Sequence, residues 1–266
     1  MYDRVNALTT KWWFYALLLV VFFMPSYAAQ GVDPAETFKL VQTVLSSPLV
    51  RDYPMLMVVS KIAAAVVIGA MFALREKTCR LFAFFAAGVF FIIALLQNLA
   101  FTEQYGTVFL TGNALITLVV AYFWGLETFV QRNAIRAAGM NNRELWMLPL
   151  AILAFWFPVD PSTVAPHFAL NYLWCNESVL TFCMITPVII AVTMLLHNRI
   201  NLPVLRVTSF VGTLFGVINT VAWFVVDGSM WWMGMLHLPL LLISARALWL
   251  TTARRPASVH NGKLGA

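Results

Sequence analysis

The chain has 266 residues, 61% of them hydrophobic and only 11% charged, with a formal net charge of +6. A soluble domain carries roughly 25% charged residues, so there are too few here to cover a water-facing surface. The basic residues sit in short stretches between apolar runs, which reads as the topology charge of a membrane protein; nucleic acid is not expected as a partner.

Residues 1–28 open with Arg4 and Lys11, continue with the apolar stretch Trp12 to Met24, and close on Pro25, Ser26, Tyr27 and Ala28. A basic start, a short apolar run, a helix breaker and small residues make an export-signal pattern, with cleavage between Ala28 and Ala29. The alternative is an uncleaved first hydrophobic segment. Residues 29–53 read as a periplasmic amphipathic helix. Asp33, Pro34 and Glu36 supply a cap, a proline at the first turn and an acid two residues later, and Phe38, Val41, Val44 and Leu45 share one face. Such a helix is expected to lie on the outer membrane surface and to end near Ser47 and Pro48.

Residues 54–250 hold seven apolar runs, at 54–74, 81–101, 108–130, 145–159, 174–196, 204–226 and 230–250. A run of about 20 residues crosses roughly 30 Å of hydrocarbon. The fourth is short and contains Pro149, so a tilted or shielded helix is expected there. Charge alternates at every loop. Of the 17 basic residues, only Lys39, Arg51 and Lys61 fall on one side, and that side takes the acids Asp33, Glu36, Asp52, Glu103, Asp160, Glu177 and Asp227. Positive charge stays in the cytoplasm. The expected location is therefore a bacterial inner (plasma) membrane, multi-pass, with the mature N-terminus periplasmic and the C-terminus cytoplasmic. Trp156, Tyr172, Trp174, Trp223, Trp231, Trp232 and Tyr105 cluster at the outer ends, as interface anchors do. Residues 251–266 form a basic, small-residue cytoplasmic tail.

The fold class is thus all-α: a polytopic membrane helix bundle of about seven transmembrane helices after the N-terminal segment. A 3+1+3 repeat is expected from a shift of 124 residues that pairs Arg75 with Arg199, Gly88 with Gly212 and Phe91 with Phe215. In span count and orientation the arrangement resembles the SWEET and PQ-loop carriers; the Pro-Gln signature of those carriers is missing, and the family is not assigned.

Polar groups inside hydrocarbon are costly and mark sites. Lys61, Gln97, Asn98, Asn113, Asn176, Glu177, Asn219 and His237 all fall within about 10 Å of the outer surface by helical rise. They predict a periplasm-facing polar cavity, with Lys61 and Glu177 as an ion pair and Asn98, Asn113, Asn219 and His237 as further ligand-binding residues. The competing reading is that each group bonds a neighbouring helix. Glu127, Arg206 and Arg246 sit near cytoplasmic helix ends, where they snorkel or pair. Gly112, Gly212 and Gly216 permit close helix packing, and Pro187 and Pro239 kink their helices.

Other chemistry finds little footing. His197 and His237 lie roughly 20 Å apart by rise, too far for bis-histidine haem. Cys175, Cys183, His167 and His237 do not make a known ligand spacing, so neither a metal nor a cofactor is expected. Asp160 and His167 in the outer loop could hold an acid/base pair, although an enzyme is not the favoured class and no catalytic residue is assigned. The expected function is a small-solute transporter or permease-like protein, its partners the lipid bilayer and a small polar or anionic solute. The alternatives are a non-transporting membrane subunit or assembly factor docking another protein, and a membrane-embedded enzyme.

Overall fold

The computed structural model describes residues 2–135, 140–160 and 163–253. Most of them are helical. The chain begins with α1 (Tyr2–Leu8) and α2 (Trp12–Phe22), bent by 74° against each other. After α3 (Thr37–Ser46) come α4 (Pro54–Leu74), α5 (Cys79–Leu96), α6 (Thr111–Val130) and the short α7 (Met147–Trp156). The chain ends with α8 (Phe182–Leu196), α9 (Leu202–Val221) and α10 (Trp231–Ala253). Among the described residues, four helical stretches are long and apolar enough to cross a membrane, or six if each of two bent pairs forms one span. The expected tail from Thr251 joins α10 as far as Ala253; residues 254–266 lie outside the described part.

The first of those stretches, Pro54–Leu96, is two helices folded back on each other. The break is a 3-10 turn at Arg75–Thr78, and Arg75 has φ 52, a conformation that reverses the chain. The start of α4 and the end of α5 meet again at one end of the bundle. There a three-stranded antiparallel sheet forms from β1 (Tyr27–Ala28), β2 (Leu99–Thr102) and β3 (Gly106–Phe109), ordered β1-β3-β2. Its register pairs Ala28 with Val108 and Ala100 with Val108. This sheet takes up the span ends that the hydropathy pattern placed at residues 99–101 and 108–109, and the loop expected between them. It marks what is called below the hairpin end.

The helix expected from its amphipathic pattern forms, and it covers this sheet. Leu40 and Val44 of α3 are fully buried against Ala100, Tyr105, Val108 and Leu110, a small core separate from the main one. Asp33 caps the entry turn as its sequence implied, its Oδ1 accepting from Ala35 N at 2.9 Å. Leu40 and Val44 face the sheet, while Phe38 of the expected apolar face stays exposed.

The segment read as an export signal or first hydrophobic segment, residues 1–28, is packed into the bundle over its described part, 2–28. Phe14 and Leu18 of α2 are buried, Phe14 meets Phe123 of α6, and Tyr15 and Phe22 meet Phe210 and Phe215 of α9. Gly112 sits where the carbonyls of Val21 and Phe22 press on α6.

In both triplets expected to form a repeat, the second and third helices make the closest pairs, α5 with α6 and α9 with α10. Gly212 and Gly216 let α10 approach α9, with Ser244 and Leu241 filling the space a side chain would take. The first helices differ: α8 packs on both α9 and α10 and is buried along its whole length, whereas α4 packs chiefly on α5 and the turn before α8. At the end opposite the hairpin, β4 (Ala134–Ile135) pairs with β5 (His197–Arg199).

A closed polar junction between two broken helices

The ten-residue α7 is the shortest of the apolar helices. At 1.5 Å per residue it spans about 15 Å, half a bilayer core. Its last carbonyls therefore end inside the protein, where a lack of partners would cost about 1–3 kcal/mol each. Phe157 turns left-handed at φ 47 and ends the helix. The sequence brings three side chains to that end. Lys61 Nζ of α4 donates to Phe155 O at 2.5 Å and to Tyr172 O at 2.9 Å. Asn176 Nδ2 donates to Trp156 O at 2.7 Å and Phe157 O at 3.1 Å, and Ser178 Oγ to Phe155 O at 2.7 Å.

Helix α8 is broken in the complementary sense. The predicted span 174–196 does not run through: Leu170–Leu180 and Phe182–Leu196 are bent by 96° around Thr181, and only the second part is the long helix. The first free N–H of α8, on Phe182, donates to Gln97 Oε1 of the turn after α5 at 2.9 Å. Asn176 Oδ1 accepts from Ser178 N at 3.1 Å and holds the intervening 3-10 turn. Thus one helix C-terminus and one helix N-terminus meet inside the hairpin half of the bundle, and polar side chains satisfy both.

Lys61 is 0% exposed. Burying an ammonium costs several kcal/mol. The two carbonyls, a helix C-terminus and the Phe155 ring, whose centroid lies 4.3 Å from Nζ, offset that cost. The predicted Lys61–Glu177 ion pair does not form as a direct contact. Glu177 is taken by Arg51, at 2.6 Å from Nη2 and 3.0 Å from Nε to the same Oε1, and acts on the Lys61 ammonium only from a distance. Arg51 follows Pro48 in the short turn before α4, close above the break in α8, which gives it the shorter reach.

The six predicted ligand residues divide among several places. Lys61 and Glu177 belong to the junction. Asn98 turns back on its own helix, its Nδ2 donating to Ile93 O and Ala94 O at 3.2 Å. Asn113 is half-buried near the start of α6. Asn219 and His237 form a second cluster between α8, α9 and α10. There Asn219 Nδ2 donates to Phe215 O at 2.8 Å and approaches Cys183 Sγ at 3.7 Å, and Trp223 Nε1 donates to Asn219 Oδ1 at 3.3 Å. The Trp223 ring lies 6.5 Å from that of His237, whose Nδ1 bonds Met233 O at 2.7 Å. A π-helical turn at Ala222–Val226 closes α9 beside this cluster. Two cavities among the described residues lie away from the junction. One lies between Tyr2, Val5, Phe123, Leu126 and Asn201, the other is an apolar groove along Gly88, Phe91, Leu118 and Tyr122. What the sequence reads as an open cavity is a closed junction here.

Elsewhere the candidate chemistry is committed to structure. His167 Nδ1 bonds the Tyr172 hydroxyl at 2.9 Å, and Asp160 Oδ1 accepts from Thr163 N at 3.1 Å. Among the described residues no group of three or more His, Cys, Asp or Glu could hold a metal ion. At the opposite end, Glu127 accepts from Asn133 N at 2.7 Å and from Asn201 Nδ2 at 2.5 Å. Arg206 donates to Asn6 Oδ1 at 2.8 Å, and Arg246 Nη2 pairs with Glu144 Oε1 at 2.8 Å. His197 beside β4 is buried, which pushes its pKa down to about 4. Its Nδ1–H donates to Thr193 O at 3.1 Å, so Nε2 carries the lone pair that faces the Cys79 thiol at 3.9 Å.

Sequence reasoning missed Arg51 as a site residue, and it gave no role to Ser178 or to the carbonyls of Phe155 and Tyr172. Asn176-Glu177-Ser178 carries a legible signal, an Asn capping its own turn two residues on. The carbonyls carry none, since every residue has one. No protein-family model, no curated protein and no solved structure matches the chain.

Proposed function

We propose that this protein is a small-solute carrier, permease-like, of a bacterial inner membrane, with its solute site at the junction of α7 and α8. In this reading the hairpin end faces the periplasm and the C-terminus the cytoplasm, as the charge distribution requires. The observation that carries it is the fully buried Lys61 ammonium set between two helix ends that stop inside the bundle. Interrupted helices cost stability in a membrane and are tolerated where they line a site; discontinuous helices with ionisable groups at the break are the pattern of solute carriers. The Arg51–Glu177 pair caps the junction on the hairpin side, so this arrangement is the closed state of the cycle.

A second reading has its own support. Lys61 is satisfied by backbone carbonyls, and the two cavities lie away from it, as in a static, non-transporting membrane subunit. Accessibility separates the two. Ser178 is 1% exposed. In a variant with Cys79, Cys175 and Cys183 replaced by serine, Ser178→Cys is expected to react within minutes with an impermeant maleimide added from the hairpin side, because a carrier opens there. Protection lasting hours, in a protein that still inserts and melts cooperatively, removes the carrier reading and leaves the static subunit.

A further inference from the structure

The side chains around Lys61 are arranged to hold a cation, and the cation they hold is part of the chain. We infer that the end of α7 is an ammonium-selective cradle, and that the solute of the proposed carrier bears a primary ammonium group that takes the place of the Lys61 ammonium. This rests on the carrier reading for the solute, while the cradle itself does not.

Three features argue for it. Phe155 O and Tyr172 O both accept from Nζ, at 2.5 and 2.9 Å. Phe155 O is one of the last carbonyls of a helix and therefore lies at the negative end of its dipole. The Phe155 ring faces the same nitrogen with its centroid 4.3 Å away, the geometry of a cation–π contact. Carbonyl acceptors with an aromatic face suit an N–H-bearing cation: the two acceptors demand directed donors, which a quaternary ammonium and a metal cation lack, and the ring face stabilises the positive charge once it has left water. The Glu177 carboxylate adds a favourable field without touching the nitrogen. An anionic solute, by contrast, finds no free donor here. The Lys61 ammonium is engaged by carbonyls, and Arg51 is bound to Glu177. Of the small polar or anionic solute expected from the sequence, the inference therefore drops the anion and takes a cation.

The test removes the resident ammonium and supplies a free one. Lys61→Ala leaves a dry space lined by acceptors and should lower the melting temperature of the purified protein by several degrees. Methylammonium at tens of millimolar is expected to restore at least half of that loss. Tetramethylammonium, which has no N–H, and sodium at the same concentration should not. Wild-type protein, with its cradle filled, should respond equally to all three salts. If methylammonium raises the melting temperature of Lys61→Ala no more than tetramethylammonium does, the cradle is not ammonium-selective and the inference falls. Should Lys61→Ala not survive purification, Lys61→Ser keeps one hydroxyl donor to a carbonyl and is scored by the same comparison. Rescue together with a protected Ser178→Cys leaves an ammonium cradle in a static protein. Maleimide reaction without rescue leaves a carrier for some other solute.

Discussion

The N-terminal segment offers the sharpest single perturbation, at Gly112. On helix propensity alone, Gly112→Ala within α6 should stabilise the protein by about 1 kcal/mol. The packing predicts the opposite sign. A Cβ at this position collides with the Phe22 carbonyl and comes within 3.0 Å of Val21 O, which are backbone atoms that cannot rotate away. The end of α2 must move off α6, and the Phe22–Phe215 ring contact, 5.4 Å between centroids, is lost with it. Overpacking costs about 1–3 kcal/mol and an aromatic pair contributes about 0.5–1.5 kcal/mol, so a net loss centred on about 2 kcal/mol remains after the propensity gain. For a chain of this size that is on the order of 4–8 °C in melting temperature. The assay is thermal unfolding in detergent of a protein tagged at its C-terminus, with intact mass measured on the same sample. The mass should include residues 1–28, because Ala28 pairs with Val108 in the sheet and Phe14 and Leu18 are buried. A Gly112→Ala variant that melts at or above the wild type refutes the packing argument. A mature protein that begins at Ala29 refutes it more directly, since α2 would then be absent.

Two further outcomes follow from the opposite end of the bundle. Arg246→Met removes the bidentate partner of Glu144, which is 3% exposed, and leaves a buried carboxylate. Breaking a buried pair costs about 3–5 kcal/mol; because Arg246 is itself partly exposed, about 2 kcal/mol is expected. The double variant Arg246→Met, Glu144→Gln should recover more than half of the loss, and equal melting of single variant and wild type would show the pair to be inert. His197 predicts a pH effect. Its folded pKa of about 4 lies below the ordinary value of 6.5, so the unfolded chain binds the proton first. Its contribution is complete above pH 6.5, declines below that, and is gone below about pH 4, at about 1.4 kcal/mol per pH unit. His197→Gln should flatten the fall in stability between pH 6.5 and 4.5 relative to wild type. An unchanged slope would mean that His197 is reached by water.

Much of the architecture was legible in the residues. The first predicted span, 54–74, coincides with α4, and Leu202–Val226 and α10 lie within a few residues of the expected 204–226 and 230–250. Runs of apolar side chains, capping residues such as Asp33 and the close-packing glycines report on local chemistry, and local chemistry is written in order along the chain. The short α7 was flagged by Pro149 and by its length. The hairpin at β2 and β3 was not seen, because its polar middle, Thr102 to Thr107, reads equally well as a loop between two spans and its apolar ends, Leu99 to Phe101 and Val108 to Phe109, were counted into the spans on either side.

The site was legible in its residue types and not in its pairings. Lys61, Asn176 and Glu177 stood out as polar groups in an apolar chain, which sequence alone settles by counting. Which groups they would meet depended on where α7 stops and where α8 starts. Those ends are set by contacts between separate segments, 20 residues apart for Asn176 and Trp156 and 94 for Lys61 and Phe155. Arg51 claimed Glu177 because the turn before α4 lies above the break in α8, and Leu40 and Val44 claimed the sheet because the β2–β3 hairpin folds against α3. Composition by itself determined that the chain forms several helices long and apolar enough to cross a membrane, since the cost of exposing so much apolar surface to water depends only on what the residues are. Tertiary structure alone decided what each buried polar group is bonded to, since that cost depends on which donor comes within hydrogen-bonding reach of which acceptor.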